Sequence, residues 1–151
     1  MVGELESSIS YYEKFIDADP YSQFAWYNLG IVHNKLARFE EALQAYDYAT
    51  IIDEQFASAF FNMGNVLMSL ERYNEALECY EKTEAIEGPS AEIYCSRAQA
   101  YKEMERYEEA VKLFQKAIKH DNYYDEAYYG LGYCLAQQES WMEALHFSTK
   151  H

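Results

Sequence analysis

Basic residues are scarce in this chain of 151 residues, which has 12 lysines and arginines against 26 aspartates and glutamates and a net charge of −14. Binding to a nucleic-acid backbone needs clustered lysine and arginine side chains, and an anionic membrane surface would repel so acidic a chain. We therefore expect neither a nucleic-acid partner nor a membrane partner. The acidic residues fall mostly at outward helix positions, which favours solvation as their role, with a basic partner as the alternative.

Cysteine is also rare, and Cys79, Cys95 and Cys134 form no C-x-x-C pair and have no histidine at ligand spacing. An odd number of unpaired cysteines is typical of a reducing compartment, so we expect a cytoplasmic protein without a metal site. Residues 1–20 are acidic and amphipathic, without the basic start and apolar run of a secretory signal. No segment approaches the length of a membrane span.

What the sequence does contain is a pattern of 34 residues, repeated without insertion. It begins as two helical segments, 23–36 and 39–52, joined by a two-residue link. Four columns recur at this spacing: Trp26, Phe60, Tyr94 and Tyr128; Gly30, Gly64, Ala98 and Gly132; Phe39, Tyr73, Tyr107 and Trp141; and Ala42, Ala76, Ala110 and Ala144. A fifth column of Tyr46, Tyr80 and Phe114 ends at Ser148. The small residues predict that paired helices approach closely, with the aromatic side chains filling the space beside them.

This pattern resembles the tetratricopeptide repeat, which has the same period and the same aromatic, Leu-Gly and Ala-aromatic columns. The resemblance implies an all-α fold, a right-handed superhelical stack (α-solenoid) of antiparallel helix hairpins in which each hairpin packs only on its neighbours. Complete repeats are expected at 23–56, 57–90 and 91–124, an incomplete one at 125–151, and a partial-repeat or capping helix at 1–22. Nine helices are expected, the last beginning at Trp141 and fraying towards Ser148 and His151.

The resemblance also implies where a partner binds. In this family the first helix of each repeat lines a concave groove that holds an extended peptide or a partner helix. A second stripe beside the core positions of these helices matches that surface, and its candidate binding residues are Phe24, Tyr27, Ile31, Asn34, Phe61, Asn62, Asn65, Met68, Gln99, Lys102, Tyr129 and Tyr133. We expect Tyr27 and Phe61 to be exposed and Asn65 to bond a peptide backbone. The alternative is that packing between repeats covers Phe24 and Tyr27.

The predicted function is therefore that of a protein–protein interaction scaffold. Glu41, Glu75 and Glu109 recur with the repeat and belong to its architecture, and neither a catalytic triad nor a glycine-rich phosphate loop is present. We expect no enzyme activity and no cofactor. Two alternatives stay open: a structural array that self-associates end to end, and a fragment of a larger multi-repeat protein whose acidic face contacts a basic partner.

Overall fold

The computed structural model describes residues 2–150, and for residues 147–150 the backbone alone. All regular structure in this range is helical. The helices are α1 (Val2–Ala18), α2 (Gln23–Lys35), α3 (Phe39–Ile52), α4 (Ala57–Ser69), α5 (Tyr73–Glu87), α6 (Ala91–Glu103), α7 (Tyr107–His120) and α8 (Asp125–Lys150). Helices α1 to α5 form one compact unit and α6 to α8 a second.

The first unit consists of two helix hairpins and one flanking helix. Helix α2 pairs with α3 and α4 with α5, while α1 packs on α2 and α3 packs on α4. Ser22 caps the start of α2, because its hydroxyl accepts a hydrogen bond of 3.3 Å from the Ala25 N–H. In the second unit Ser90 caps α6 in the same way, with a bond of 3.1 Å from the Ile93 N–H.

A small residue facing an aromatic ring closes the complete hairpins. A Cβ atom added to Gly30 would lie 2.6 Å from Cε1 of Tyr46, and one added to Gly64 would lie 2.6 Å from Cε1 of Tyr80. Tyr46, Tyr80 and Phe114 are all fully buried, as are Ala42, Ala76 and Ala110. The predicted close approach of the paired helices is thus confirmed in the first two complete repeats, and in the third Ala98, Ala110 and Phe114 lie in one buried core cluster.

The turn within each complete hairpin uses a left-handed residue that is not glycine. Ala37, Glu71 and Glu105 have φ angles of 57°, 59° and 60°. The residue after each of them donates its N–H to the carbonyl five positions earlier, at 2.8 to 2.9 Å, which is the hydrogen bond of a Schellman helix end. A side chain at each of these positions occupies a left-handed conformation that costs about 1–2 kcal/mol.

The last repeat does not form a hairpin, so the prediction of nine helices is wrong for the described residues. Helix α8 runs without interruption from Asp125 to Lys150, through the predicted second-helix start at Trp141. Trp141 is 66% exposed, and a Cβ atom added to Gly132 would meet no atom within 4 Å. The physical reason lies in the aromatic column, where Ser148 has no ring to seat against Gly132. The predicted fraying at the Ser148 side chain and His151 lies outside the described residues.

Candidate functional site

We call the twelve predicted binding residues the first-helix stripe. In the structure they lie on α2 and α4 of the first unit and on α6 and α8 of the second. Their exposure varies widely: Phe24, Asn34, Asn65, Tyr129 and Tyr133 are exposed, whereas the remaining members, Tyr27, Ile31, Phe61, Asn62, Met68, Gln99 and Lys102, are half-buried. The stripe is therefore a mixture of surface residues and residues that also support the repeat.

Tyr27 is a packing residue as well as a surface one. Its ring centroid lies 4.8 Å from that of Phe56 and 5.9 Å from that of Tyr46, and its hydroxyl oxygen accepts a hydrogen bond of 3.1 Å from Nδ2 of Asn62. Phe24, 62% exposed, also contacts Phe56, edge-on with ring centroids 5.7 Å apart. The expectation that Tyr27 is exposed is wrong, because Phe56 and Asn62 hold it.

Phe56 is the contact that the sequence pattern hides. It immediately precedes α4, at the position where α2 and α6 have the capping residues Ser22 and Ser90. The sequence signal for this contact was an aromatic residue in the column of helix-capping residues. An aromatic ring cannot cap a helix, so its side chain has to pack on a neighbouring one. The alternative that packing between repeats covers Phe24 and Tyr27 is therefore correct in part: both rings contact Phe56, and Phe24 nevertheless stays mostly exposed.

Phe61 and Asn65 both contact the tyrosine that closes the second hairpin. The Phe61 ring lies 5.5 Å from the Tyr80 ring, so Phe61 is half-buried and its predicted exposure is also wrong. The Tyr80 hydroxyl donates a hydrogen bond of 2.7 Å to Oδ1 of Asn65. That bond orients the exposed Asn65 amide, whose NH₂ group has no hydrogen-bond partner among the described residues. Ile31 and Met68 pack against the same core cluster.

In the second unit a stripe lysine lies over the ring of a stripe tyrosine, and that ring also lies near a tyrosine outside the stripe. Nζ of Lys102 lies 4.8 Å from the centroid of the Tyr133 ring, and that ring lies 6.3 Å from Tyr107. Such a cation–π pair is worth about 0.5–1 kcal/mol at an exposed site. Tyr129 extends 79% into solvent. Cys95, which stands in a stripe column, is buried and adds no surface.

The first unit also has a groove that the sequence pattern did not indicate. We call it the second-helix groove: a cavity of about 1180 Å³ lined by α3, α4 and α5. Its floor is the buried side chains of Phe60, Met63 and Leu67 on α4. Around it stand five carboxylates, those of Glu40, Asp47, Glu54, Glu75 and Glu78.

Two cations border this groove, and both have partners. Nε and Nη2 of Arg72 donate hydrogen bonds of 2.6 and 2.8 Å to the Glu75 carboxylate, and Nη1 lies 4.0 Å from Oε1 of Glu40. The hydrogen bond from Arg72 holds the pKa of Glu75 below its ordinary value. Nζ of Lys82 lies 5.1 Å from the centroid of the Phe60 ring. The remaining three carboxylates dominate the charge of the groove.

The described part of the chain gives little evidence for a metal site or for a reactive cysteine. It contains no group of three histidine, cysteine or acidic side chains placed to hold a metal ion. Cys79, Cys95 and Cys134 are free and buried. Burial raises the pKa of the Cys79 thiol to about 11 and that of Cys95 to about 12, and it raises the pKa of Cys134 as well. Thiols so far from ionisation are poor nucleophiles. None of the helices within residues 2–150 is both long and apolar enough to cross a membrane.

The repeats of this chain match a known protein family. Sequence profiles of the tetratricopeptide repeat match residues 11–44, 48–122 and 101–147. The chain belongs to the tetratricopeptide repeat family. No curated protein matches it in sequence. The family assignment confirms the predicted resemblance and the all-α stack of helices.

Solved tetratricopeptide repeat proteins share the fold at low identity. MamA matches with a TM-score of 0.86 and 20% identity, over 98% of this chain and 86% of that one. MamA from Desulfovibrio magneticus RS-1 gives 0.85 and 22%, over 98% and 84%. YrrB, whose crystal structure is described as a TPR protein with an unusual peptide-binding site, gives 0.71 and 25%, over 89% and 70%.

Proposed function

We propose that this tetratricopeptide repeat protein is a non-catalytic interaction scaffold that binds a peptide segment of a partner protein on the first-helix stripe of α2 and α4. Repeat arrays present extended surfaces of this kind for binding. The observation that carries the proposal is an exposed aromatic side chain on α2 together with an oriented amide on α4: Phe24 is 62% exposed, and Asn65 accepts a hydrogen bond from Tyr80 with its NH₂ group unused. The peptide-binding site ascribed to YrrB supports the same class of ligand.

The chemistry of the stripe suits an extended peptide backbone. The NH₂ group of Asn65 can donate to a peptide carbonyl, and the exposed amide of Asn34 offers both a donor and an acceptor. Phe24 supplies an apolar anchor, and a buried aromatic anchor is typically worth about 2 kcal/mol or more. Asn62 has less to offer, because its NH₂ group already donates to Tyr27. Asn65 is therefore the residue that sets the register of the peptide.

The packing of Tyr27 and Phe61 determines which variants test this proposal. Replacing both with alanine would remove ring contacts with Tyr46 and Tyr80, so the double variant should lose stability together with binding. Phe24→Ala combined with Asn65→Ala changes two exposed side chains. We expect this variant to lose capture of partners from source-cell extract, measured by quantitative mass spectrometry, while its melting curve stays close to that of the wild type.

The matched control is Tyr21→Ala combined with Asn74→Ala, which also removes one exposed aromatic and one exposed amide, both outside the stripe. It should capture partners as well as the wild type does. Equal capture by the stripe variant and the wild type would contradict the proposal. A light-scattering concentration series tests the alternative of end-to-end self-association, which predicts a mass that rises with concentration and is unchanged by the stripe variant.

The remaining parts of the proposal concern the kind of partner and its location. We place the partner among proteins and not among nucleic acids or membranes, since the net charge of −14 opposes binding to polyanions. The free, buried cysteines support a reducing compartment such as the cytoplasm. Electrophoretic mobility of labelled RNA and DNA, unchanged by the protein at low salt, would support the first part, and a shift would refute it.

A further inference from the structure

The acidity of the chain is concentrated in its first unit. Residues 1–87 contain 16 acidic and 5 basic side chains, a net charge of −11, whereas residues 88–151 contain 10 and 7, a net charge of −3. In the second-helix groove Arg72 is engaged by Glu75 and Glu40. The carboxylates of Asp47, Glu54 and Glu78 are exposed and have no cationic partner within the described residues. The groove therefore favours a positively charged occupant.

Apolar surface accompanies these charges. Ile51 on α3 is 65% exposed at the edge of the groove, and Leu43 and Ile86 are half-buried along its walls. Beneath them lie the apolar side chains of α4. Exposed apolar surface within a charged rim is a common mark of an interaction site. A partner that has only basic side chains would leave this apolar surface exposed to water. The groove therefore suits a partner that also has apolar anchor residues.

The form of the occupant follows from the backbone of the groove. Its walls are helices, whose central N–H and C=O groups are already bonded within each helix. An extended peptide would bury its own backbone groups here with few partners, which is costly. An amphipathic helix satisfies its backbone internally and buries one apolar face. Helix α3 has 14 residues, a length of about 21 Å, which accommodates an occupant helix of similar length.

We propose that the second-helix groove binds an amphipathic helix of a partner protein, with leucine-like anchors on the buried face and lysine or arginine along its flanks. The stems of those long cations lie over the apolar walls while their charged groups reach Asp47, Glu54 and Glu78. This site shares α4 with the first-helix stripe but is lined by none of the twelve stripe residues, and it does not depend on the function proposed for that stripe.

A synthetic helical peptide provides the probe. It has about 14 residues, leucines at i, i+3, i+4 and i+7, and lysines on both flanks, matched to the length of α3. Fluorescence anisotropy should show binding to the full chain that weakens as salt is raised. A second peptide with glutamate in place of lysine, and a third with the leucines scrambled around the helix, should bind at least about tenfold more weakly, because each lacks half of the complementarity.

Two variants locate the site. Asp47→Asn, Glu54→Gln and Glu78→Gln together should weaken binding about tenfold and flatten its salt dependence. The control triple, Glu4→Gln, Glu13→Gln and Asp17→Asn, removes the same charge from exposed positions on α1 and should leave affinity within about twofold. Ile51→Ser should also weaken binding. Its control is Val2→Ser, because Val2 is 63% exposed and lies on α1.

Each outcome decides the proposal. Loss of binding with the groove triple and Ile51→Ser, but with neither control, supports it. Equal loss with the groove and α1 triples would reduce the effect to net charge and overturn the site. Loss caused by Phe24→Ala with Asn65→Ala instead would assign the peptide to the first-helix stripe and overturn the groove. If the groove triple changes the self-association of the protein and not its binding of the peptide, the occupant is a second copy and the proposal is wrong.

Discussion

The two units of this molecule end their repeats differently. In the first, both hairpins are closed by a tyrosine seated against a glycine, Tyr46 on Gly30 and Tyr80 on Gly64. In the second, Phe114 closes the hairpin of α6 and α7, but the repeat that follows remains one helix, α8, with Gly132 facing no side chain. We infer that the aromatic side chain sixteen residues after the small one determines whether the chain folds back.

The residues at the turn show that the conformational preference of the turn residue does not determine whether a hairpin forms. Glutamate occupies the turn column at Glu71, Glu105 and Glu139. The first two take a left-handed conformation, whereas the third lies inside α8. Since the residue is the same, the difference comes from packing: in a closed hairpin the buried aromatic and alanine contacts outweigh the strain of the left-handed residue.

The units also differ in the charge of their second helices. Helices α3 and α5 supply most of the acidic rim of the second-helix groove, whereas α7 has Lys112, Lys116 and Lys119 on its surface. The three complete repeats thus share the closed hairpin but differ in the charge of the surface that their second helices present. Each unit offers a partner a different charge on the same architecture.

The largest expected effect comes from removing a closing aromatic. Tyr80→Ala should lower the free energy of unfolding by about 3–5 kcal/mol, because it empties a fully buried site at the centre of the second hairpin. Trp141→Ala removes an aromatic side chain from the unclosed repeat, whose closing column holds Ser148 instead, and should alter stability by less than about 0.5 kcal/mol, since Trp141 is mostly exposed. Chemical denaturation measures both values. Comparable losses would mean that Trp141 is packed and that the last repeat is closed.

The small residues opposite these aromatics provide the next comparison. Gly64→Ala places a methyl group against the Tyr80 ring, and this overpacking should cost about 1–3 kcal/mol. Gly132→Ala adds the same group in open space inside a helix, where alanine is preferred, and should stabilise by about 0.5–1 kcal/mol. Thermal melts of the two variants should therefore shift in opposite directions. Shifts of the same sign would contradict the difference between the repeats.

The turn column gives a smaller effect, again of opposite sign in the two units. Ala37→Gly should stabilise by about 1 kcal/mol, because glycine takes the left-handed conformation without steric cost. Glu139→Gly should destabilise by about 1 kcal/mol, because residue 139 is within a helix. Melting temperatures test the pair, and stabilisation by Glu139→Gly would indicate a turn at that position.

The smallest effect concerns His33, which stands in a core column with Leu67 on the equivalent helix of the next repeat. Burial lowers its pKa from 6.5, more than Glu41 raises it. Below pH 6.5 the unfolded chain binds more protons than the folded one, so stability should fall as pH falls towards the lower folded pKa. His33→Leu removes this term. The melting temperature of the wild type should drop more than that of the variant between about pH 7 and about pH 5, and parallel drops would contradict the assignment.

Much of the fold was predictable because the repeat is encoded in residue size. The phase of the small and aromatic columns predicted the closed hairpins. The continuity of α8 was not predictable from Glu139, since the same residue forms turns elsewhere in the chain. The sequence signal for it was Ser148, which stands in the aromatic column and has no ring to close a hairpin.

The candidate site was less predictable, because it depends on contacts between helices. The stripe columns identified the exposed Phe24 and Asn65, but they could not show that Phe56 holds Tyr27 or that Tyr80 holds Phe61 and Asn65. The second-helix groove is built from side chains of α3, α4 and α5 that are up to 46 positions apart in sequence, from Glu40 to Ile86. Periodicity within a single helix carries no information about such a surface.

The most direct test of hairpin closure by the aromatic column is the length of α8. Spin labels at positions 126 and 146, on cysteines introduced there, report the distance between the two ends of the last repeat, with the buried native thiols replaced by alanine. A continuous helix separates these positions by about 30 Å, and double electron–electron resonance should find that distance as the main population. A main population below about 20 Å would show that the repeat folds back without its aromatic residue, and would contradict the account.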